Sequence, residues 1–314
     1  MGDFQHTLKN KHTFKGKGLH SGKSVTMTLE PAPANFGIKF KRIDLGEDAI
    51  IDASVDYVTT TSRGTTLEKG DIKVSTLEHL MAFFYGMKVD NALICLDSQE
   101  VPILDGSSLP YVNEIAAEGL AEQQEERLYF SPESRICYKD ENTGAELVVM
   151  PDSDFSVDLM IDFNSRVLGN QYARFTPSTD FASEIAPCRT FVFFHELEPL
   201  FKNNLIKGGD LDNAIVIVEH PVVQQELDRL AALFNVSRLE RAPEGYLNHL
   251  KLRFPNECAR HKLLDIMGDF SLIGMPLKAK IIGYKTGHKI NTTVAGMIRE
   301  MIKNNNNQQK KLQI

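Results

Sequence analysis

The chain has 314 residues, enough for two domains of ordinary size, and its 42% hydrophobic and 25% charged residues are the balance of a soluble globular protein. A net charge of −7 argues against general nucleic-acid binding. The absence of any run of 18 apolar residues argues against stable membrane insertion.

The N-terminus is polar and lacks the apolar stretch of a signal peptide. "KSVTMTLEPA" (23–32) and "FGIKFKRID" (36–44) alternate polar and apolar residues with period two, as half-buried strands do. "STLEHLMAFFYGM" (75–87) then places Leu77, Leu80, Met81, Phe84 and Tyr85 on one helical stripe, with Ser75 or Thr76 as N-cap and Gly86 as stop. A strand, a Pro/Gly/Ser turn and a helix follow over 91–120. The polar "AEQQEER" (121–127) reads as a linker.

Strands resume over 128–140 and 146–163. The segment 181–204 reads loosely as one helix. "DLDNAIVIVE" (210–219) repeats the Asp-Asn-Ala and apolar strand of "VDNALICLD" (89–97), which hints that the two halves share a plan. A helix over 256–274, a strand over 277–285 and a helix over 287–303 complete the fold. The tail 304–314 is polar and low in complexity, as a disordered end or a linker is. Four scattered cysteines lack zinc-ribbon spacing and suit a reducing cytoplasm.

Three places hold candidate chemistry. His261 and Asp265 are four apart on the helix 256–274, hence on one face, with Asp269 four further on. They read either as a solvated face or as two metal ligands that need a third from elsewhere, because a catalytic zinc takes three protein ligands and water. Glu78 and His79 interrupt an apolar helix. They read as a solvent-facing glutamate and a hydrogen-bonded histidine, or as a general base beside a third ligand. His288 follows Gly287 in a loop between strand and helix. It is either an exposed histidine or a proton donor oriented by Asp269.

Taken together and in order, "STLEHL", "ILDGSS", "CRTF", "GGDLDNAIV", "HKLLDIMGD" and "KTGHKINT" closely resemble the UDP-3-O-acyl-N-acetylglucosamine deacetylases, zinc amidases of lipid A synthesis. The resemblance runs from about residue 7 to about residue 300. It implies that His79, His261 and Asp265 ligate Zn²⁺, although a set of two histidines and an aspartate also admits Fe²⁺. It implies Glu78 as general base, His288 as general acid, Asp269 as the carboxylate paired with that histidine, and Thr190 as a hydroxyl assisting the oxyanion. Phe191 and Lys262 match residues that meet the nucleotide-sugar, and Asp105 with Gly106 a turn near the site. His20 is a further substrate-side candidate, and Arg260 a possible diphosphate partner. The family's acyl-chain passage corresponds to an insert near 191–205, whose Phe191, Phe193, Phe194 and Phe201 suit an alkyl wall.

The expected architecture is α+β. Two similar domains, 1–122 and 128–303, each layer a sheet against helices, with the site at their interface. The expected substrate is an acylated UDP-glucosamine, and some family members continue into a fused dehydratase domain, here beyond residue 314. The rivals are another zinc amidohydrolase or peptidase, which the absence of HEXXH disfavours, and a zinc-stabilised binding domain, which the ungrouped cysteines disfavour.

Overall fold

The computed structural model describes residues 3–233, 238–241, 244–247 and 251–312. In chain order the elements are β1 (Phe4–Leu8), β2 (His12–Lys17), β3 (Ser24–Pro31), β4 (Ile38–Arg42), β5 (Ile50–Asp52), β6 (Val58–Thr60), β7 (Thr66–Lys69), β8 (Ile72–Ser75), α1 (Glu78–Gly86), β9 (Ala92–Leu96), α2 (Leu109–Ile115) and β10 (Leu120–Glu126). The second half continues with β11 (Ile136–Asp140), β12 (Ala145–Pro151), β13 (Ser156–Ile161), β14 (Gln171–Phe175), α3 (Phe181–Glu184), β15 (Phe191–Phe193), α4 (Phe194–Lys202), β16 (Ile215–Ile217), α5 (Gln224–Leu233), α6 (Glu257–Ser271), β17 (Ala279–Tyr284) and α7 (His288–Leu312).

The protein is α+β, and its two halves repeat one topology. The first sheet has order β2-β3-β9-β4-β5 and the second β11-β12-β17-β13-β14. In each, two hairpins flank a late central strand that runs antiparallel to one and parallel to the other. The counterpart of β9 is therefore β17. The Asp-Asn-Ala repeat pointed instead to β16, which pairs in parallel with β15 in a separate two-stranded sheet. By the same correspondence α1 matches α6 and α2 matches α7. Each half carries an insert between its second hairpin and its first helix, β6-β7-β8 in one and α3 to α5 in the other.

Period-two burial makes the sheets one-sided. Val25, Met27 and Leu29 of β3, and Leu147 and Val149 of β12, enter one shared core with Phe83, Leu264, Phe270 and Val294 from the helices. The helices α1 and α6 meet at Gly268, where a Cβ would stand 2.1 Å from the carbonyl oxygen of Glu78. No larger residue lets these two backbones approach so closely.

Several expectations change. "AEQQEER" is not a linker: it lies in β10, which pairs antiparallel with β1, a polar ribbon with solvent on it. We propose the boundary between halves after β10 rather than at residue 122, and an insert reaching from β14 to α6 rather than spanning 191–205. The single helix expected over 181–204 is α3, β15 and α4, because the apolar Phe191–Phe193 run pairs as a strand. Neither Ser75 nor Thr76 caps α1: Ser75 closes β8, and Thr76 adopts φ +56 with its hydroxyl turned to Glu100. The helix α7 continues through the polar tail to Leu312. His249, which has no assigned role, lies outside the described residues.

Candidate active site

Close contact between α1 and α6 brings the first turn of one against the middle of the other. Glu78, His79, His261, Asp265 and Asp269 are all buried, so the solvated-face reading of α6 fails. The imidazoles of His79 and His261 stand edge-to-face with ring centroids 4.9 Å apart. His261 donates from Nδ1 to the Cys188 carbonyl at 3.0 Å, which turns its Nε2 lone pair into the site.

The donor set fits a divalent cation. One ligand atom each from His79, His261 and Asp265 lies within 4.8 Å of the others. Asp265 Oδ1 is 3.4 Å from His261 Nε2 and 3.9 Å from His79 Nε2, and it is buried with no hydrogen-bond partner. Donors about 2.1 Å from a tetrahedral ion are about 3.4 Å from one another. A buried carboxylate oxygen without a donor is otherwise a liability. Burial, helped by His261, pushes the His79 imidazole down to about 3, and burial also pushes His261 down, so both favour the neutral ligand form. Burial would raise Asp265, but the Lys262 ammonium at 2.7 Å from Oδ2 and the surrounding imidazoles hold it well below the carboxylate range.

Beside this cluster sits a proton-handling pair. Burial raises the Glu78 carboxyl to about 7, with Asp265 and Asp269 adding to the effect and His288 opposing it. Glu78 Oε2 accepts from the Thr65 N–H at 3.0 Å, while Oε1 is 3.7 Å from His288 Nε2. His288 is the first residue of α7 rather than a loop residue. Its Nδ1 donates to Asp269 Oδ2 at 2.9 Å. Burial opposes its charge, yet Asp269, Asp265 and Glu78 raise it to about 9. Asp269, fully buried, is fixed in turn by the hydroxyl of Thr65 at 2.6 Å and the amide of Asn291 at 2.9 Å. Thr65, Asn291 and the Cys188 carbonyl were missed from sequence. Only their contacts mark them, although Cys188 opens "CRTF" and Asn291 lies within "KTGHKINT".

The cluster opens into a cavity of about 370 Å³ whose walls include Thr190, Phe191 and Lys262. Lys262 Nζ lies 5.8 Å from the Phe191 ring centroid. Leu19, Arg63, Thr190 and Phe191 also border a smaller pocket of about 100 Å³, lined by His20 and by Val192, Leu197, Leu200, Ile206 and Val216. Its apolar wall is thus aliphatic apart from Phe191. Phe194 and Phe201 face the other way, into a cavity of about 830 Å³ between α4 and α5, because α4 begins at Phe194 and turns both rings to its far side. Phe193 packs against Phe191 and Phe163. Asp105 lines neither site cavity: it accepts from the Ser107 N–H and pairs with Arg253 at 2.9 Å, and it shapes the turn whose Gly106 carbonyl receives the Thr190 N–H. Arg260 also lies outside both, stacked on Phe254 and donating to the Glu184 carbonyl.

A family model described as UDP-3-O-acyl N-acetylglycosamine deacetylase (LpxC) matches residues 5–232 and 239–300. The chain is similar to the "Bifunctional enzyme LpxC/FabZ" of Porphyromonas gingivalis, at 47% identity over 301 residues, 96% of this chain and 65% of that protein. The protein of the same name from Bacteroides thetaiotaomicron is 46% identical over 299 residues, again 65% of its length. The UDP-3-O-acyl-N-acetylglucosamine deacetylase of Methylococcus capsulatus is 39% identical over 290 residues, 91% of this chain and 87% of that protein. The chain thus spans just under two thirds of the length of the two bifunctional relatives.

Proposed function

This chain belongs to the UDP-3-O-acyl N-acetylglycosamine deacetylase family, and on that premise we propose that it hydrolyses the N-acetyl group of a UDP-3-O-(3-hydroxyacyl)-N-acetylglucosamine, releasing acetate, in lipid A synthesis. The observation that carries the reading is the convergence of His79, His261 and Asp265, with an unsatisfied carboxylate oxygen, beside the Glu78–His288 pair.

His79, His261 and Asp265 would hold Zn²⁺ or Fe²⁺. When bound, such an ion polarises an amide carbonyl and acidifies water. Glu78, which lines the cavity, accepts a proton from the attacking water. His288 keeps its proton on Nε2 because Asp269 holds Nδ1, and it delivers that proton to the departing nitrogen as the C–N bond breaks. The Thr190 hydroxyl offers a donor to the oxyanion, a contribution of about 3 kcal/mol for a well-placed group. Phe191 and Lys262 border the nucleotide-sugar, and the aliphatic side pocket takes the start of the acyl chain. Among the described residues three donors cluster, and none of Cys95, Cys137, Cys188 or Cys258 is among them, which supports an open catalytic site over a closed structural one.

Free cysteines support a cytoplasmic setting, and no helix among the described residues is long and apolar enough to cross a membrane. The names of the bifunctional relatives support a further domain after residue 314 in the natural product, which its intact mass would test. The function is tested by acetate release from the acylated UDP sugar with and without chelator. Full activity after metal removal would overturn the reading. So would Glu78→Gln retaining the wild-type rate, since a general base is worth at least about 100-fold.

A further inference from the structure

Glu100 is 2% exposed, and among the described residues no cationic side chain pairs with it. Its carboxylate is held by neutral donors instead. The N–H of His20 and the hydroxyl of Thr76 donate to Oε1 at 2.8 and 3.1 Å, and the N–H of Ser21 donates to Oε2 at 2.8 Å. The loop closes directly on the carboxylate: a Cβ at Gly18 would lie 2.3 Å from Oε2. From the opposite side, the Gly208 N–H donates to the Leu19 carbonyl at 3.0 Å and the Lys207 N–H to that of His20 at 3.4 Å. The segment Leu19–Ser21 is therefore clamped between Glu100 and the insert of the second half.

That segment is wall. Leu19 borders both the main cavity and the aliphatic pocket, and His20 borders the pocket. The third donor belongs to the main cavity as well. Thr76 lines the main cavity two residues before Glu78, in a left-handed conformation that a β-branched residue rarely adopts. A buried carboxylate with no cation opposite is a poor stabiliser, so what it contributes is geometry.

We propose that Glu100 is a positioning residue for substrate selection, fixing Leu19, shared by the two cavities, and His20, in the wall of the aliphatic pocket, and thereby how firmly an alkyl chain seats beside the reacting centre. The alkyl assignment rests on the deacetylase reading. The Glu100→Gln variant keeps the shape of the side chain but turns an NH₂ toward a backbone N–H. Hydrogen exchange at the His20 and Ser21 amides is expected to quicken by about 10-fold or more as local opening becomes easier. Dodecanoate, titrated below its micellar concentration, is expected to bind the variant about 5-fold or more weaker than the wild type. With the acylated UDP sugar, KM should rise by about the same factor while kcat stays within about twofold, since uniform binding is lost and not the chemistry. If Glu100→Gln does not fold, Glu100→Asp, charged but one methylene short, carries the same comparison.

Wild-type exchange at these amides would overturn the proposal. A wild-type protein that does not bind dodecanoate, or a variant that binds it equally well, would also overturn it. Loss of thermal stability with KM unchanged would reduce Glu100 to a structural role. Exchange and dodecanoate binding need no turnover. A wild type that binds the probe but releases no acetate refutes the deacetylase reading alone.

Discussion

Gly268→Ala tests whether the α1–α6 contact sets the site. A Cβ at residue 268 would meet the Glu78 carbonyl oxygen at 2.1 Å, its carbonyl carbon at 2.9 Å and its Cα at 3.2 Å, all backbone atoms that no rotamer change can move aside. Ordinary contact begins at 3.4 Å, so the helices must part by more than an ångström. In an isolated helix the substitution would stabilise by about 1 kcal/mol, but overpacking a core of native density costs about 1–3 kcal/mol. The net expectation is a loss of up to about 2 kcal/mol in urea unfolding. Activity suffers more. The displacement falls on Glu78 and His79, while their partners His261 and Asp265 stay on α6, and a 1 Å misplacement costs about 100-fold in rate. The assay is acetate release under saturating substrate, with metal content measured on the same sample. A variant as stable and as fast as the wild type would refute the claim that this glycine sets the catalytic spacing.

Other expectations follow from the hydrogen bonds and burial of individual side chains. The base must be deprotonated and the acid protonated, so activity should rise as pH passes the Glu78 value, near 7 without the ion and lower with it, and fall as pH passes about 9, where His288 loses its proton. Asp269→Asn removes the leading partner that raises His288, and the alkaline limb should move to lower pH; an unmoved limb would disprove the pairing. Because the folded state raises the pKa of His288, the stabilisation linked to its charge is complete below about 6.5 and lost as pH climbs through about 9. Thermal melts of His288→Gln should accordingly show a shallower alkaline decline than the wild type. Arg189→Met leaves Glu257, 1% exposed, without the guanidinium that contacts it at 2.9 Å, and should cost about 3–5 kcal/mol in chemical denaturation. A loss under 1 kcal/mol, the scale of an exposed pair, would show that the pair is not desolvated.

Periodicity made α1, α6 and the start of α7 legible, because each buries a continuous apolar stripe. The trio His79, His261 and Asp265 was legible as a candidate through ordered motifs more than through any single spacing. What stayed hidden was set by tertiary pairing. The ribbon β10 is as polar as a linker because among the described residues β1 is its one strand partner and water takes much of the rest. Two similar Asp-Asn-Ala segments suggested the right duplication on the wrong strands, since a strand's partner is decided by sheet order and not by its letters. The placement of Phe194 and Phe201 turned on where a strand ends and a helix begins, a boundary that composition marks poorly. The fixing of His261 by a carbonyl oxygen had no side-chain signature at all.

The donor set is divided along the chain, with one imidazole on α1 and the other two groups some 180 residues later on α6. During synthesis the first half therefore leaves the ribosome holding His79 alone of the three donors, and the apolar side of α1 that α6 will cover waits in the open. On the proposed function, capture of an ion by this set is a late event of biogenesis, one that must wait until the second half has folded back onto the first.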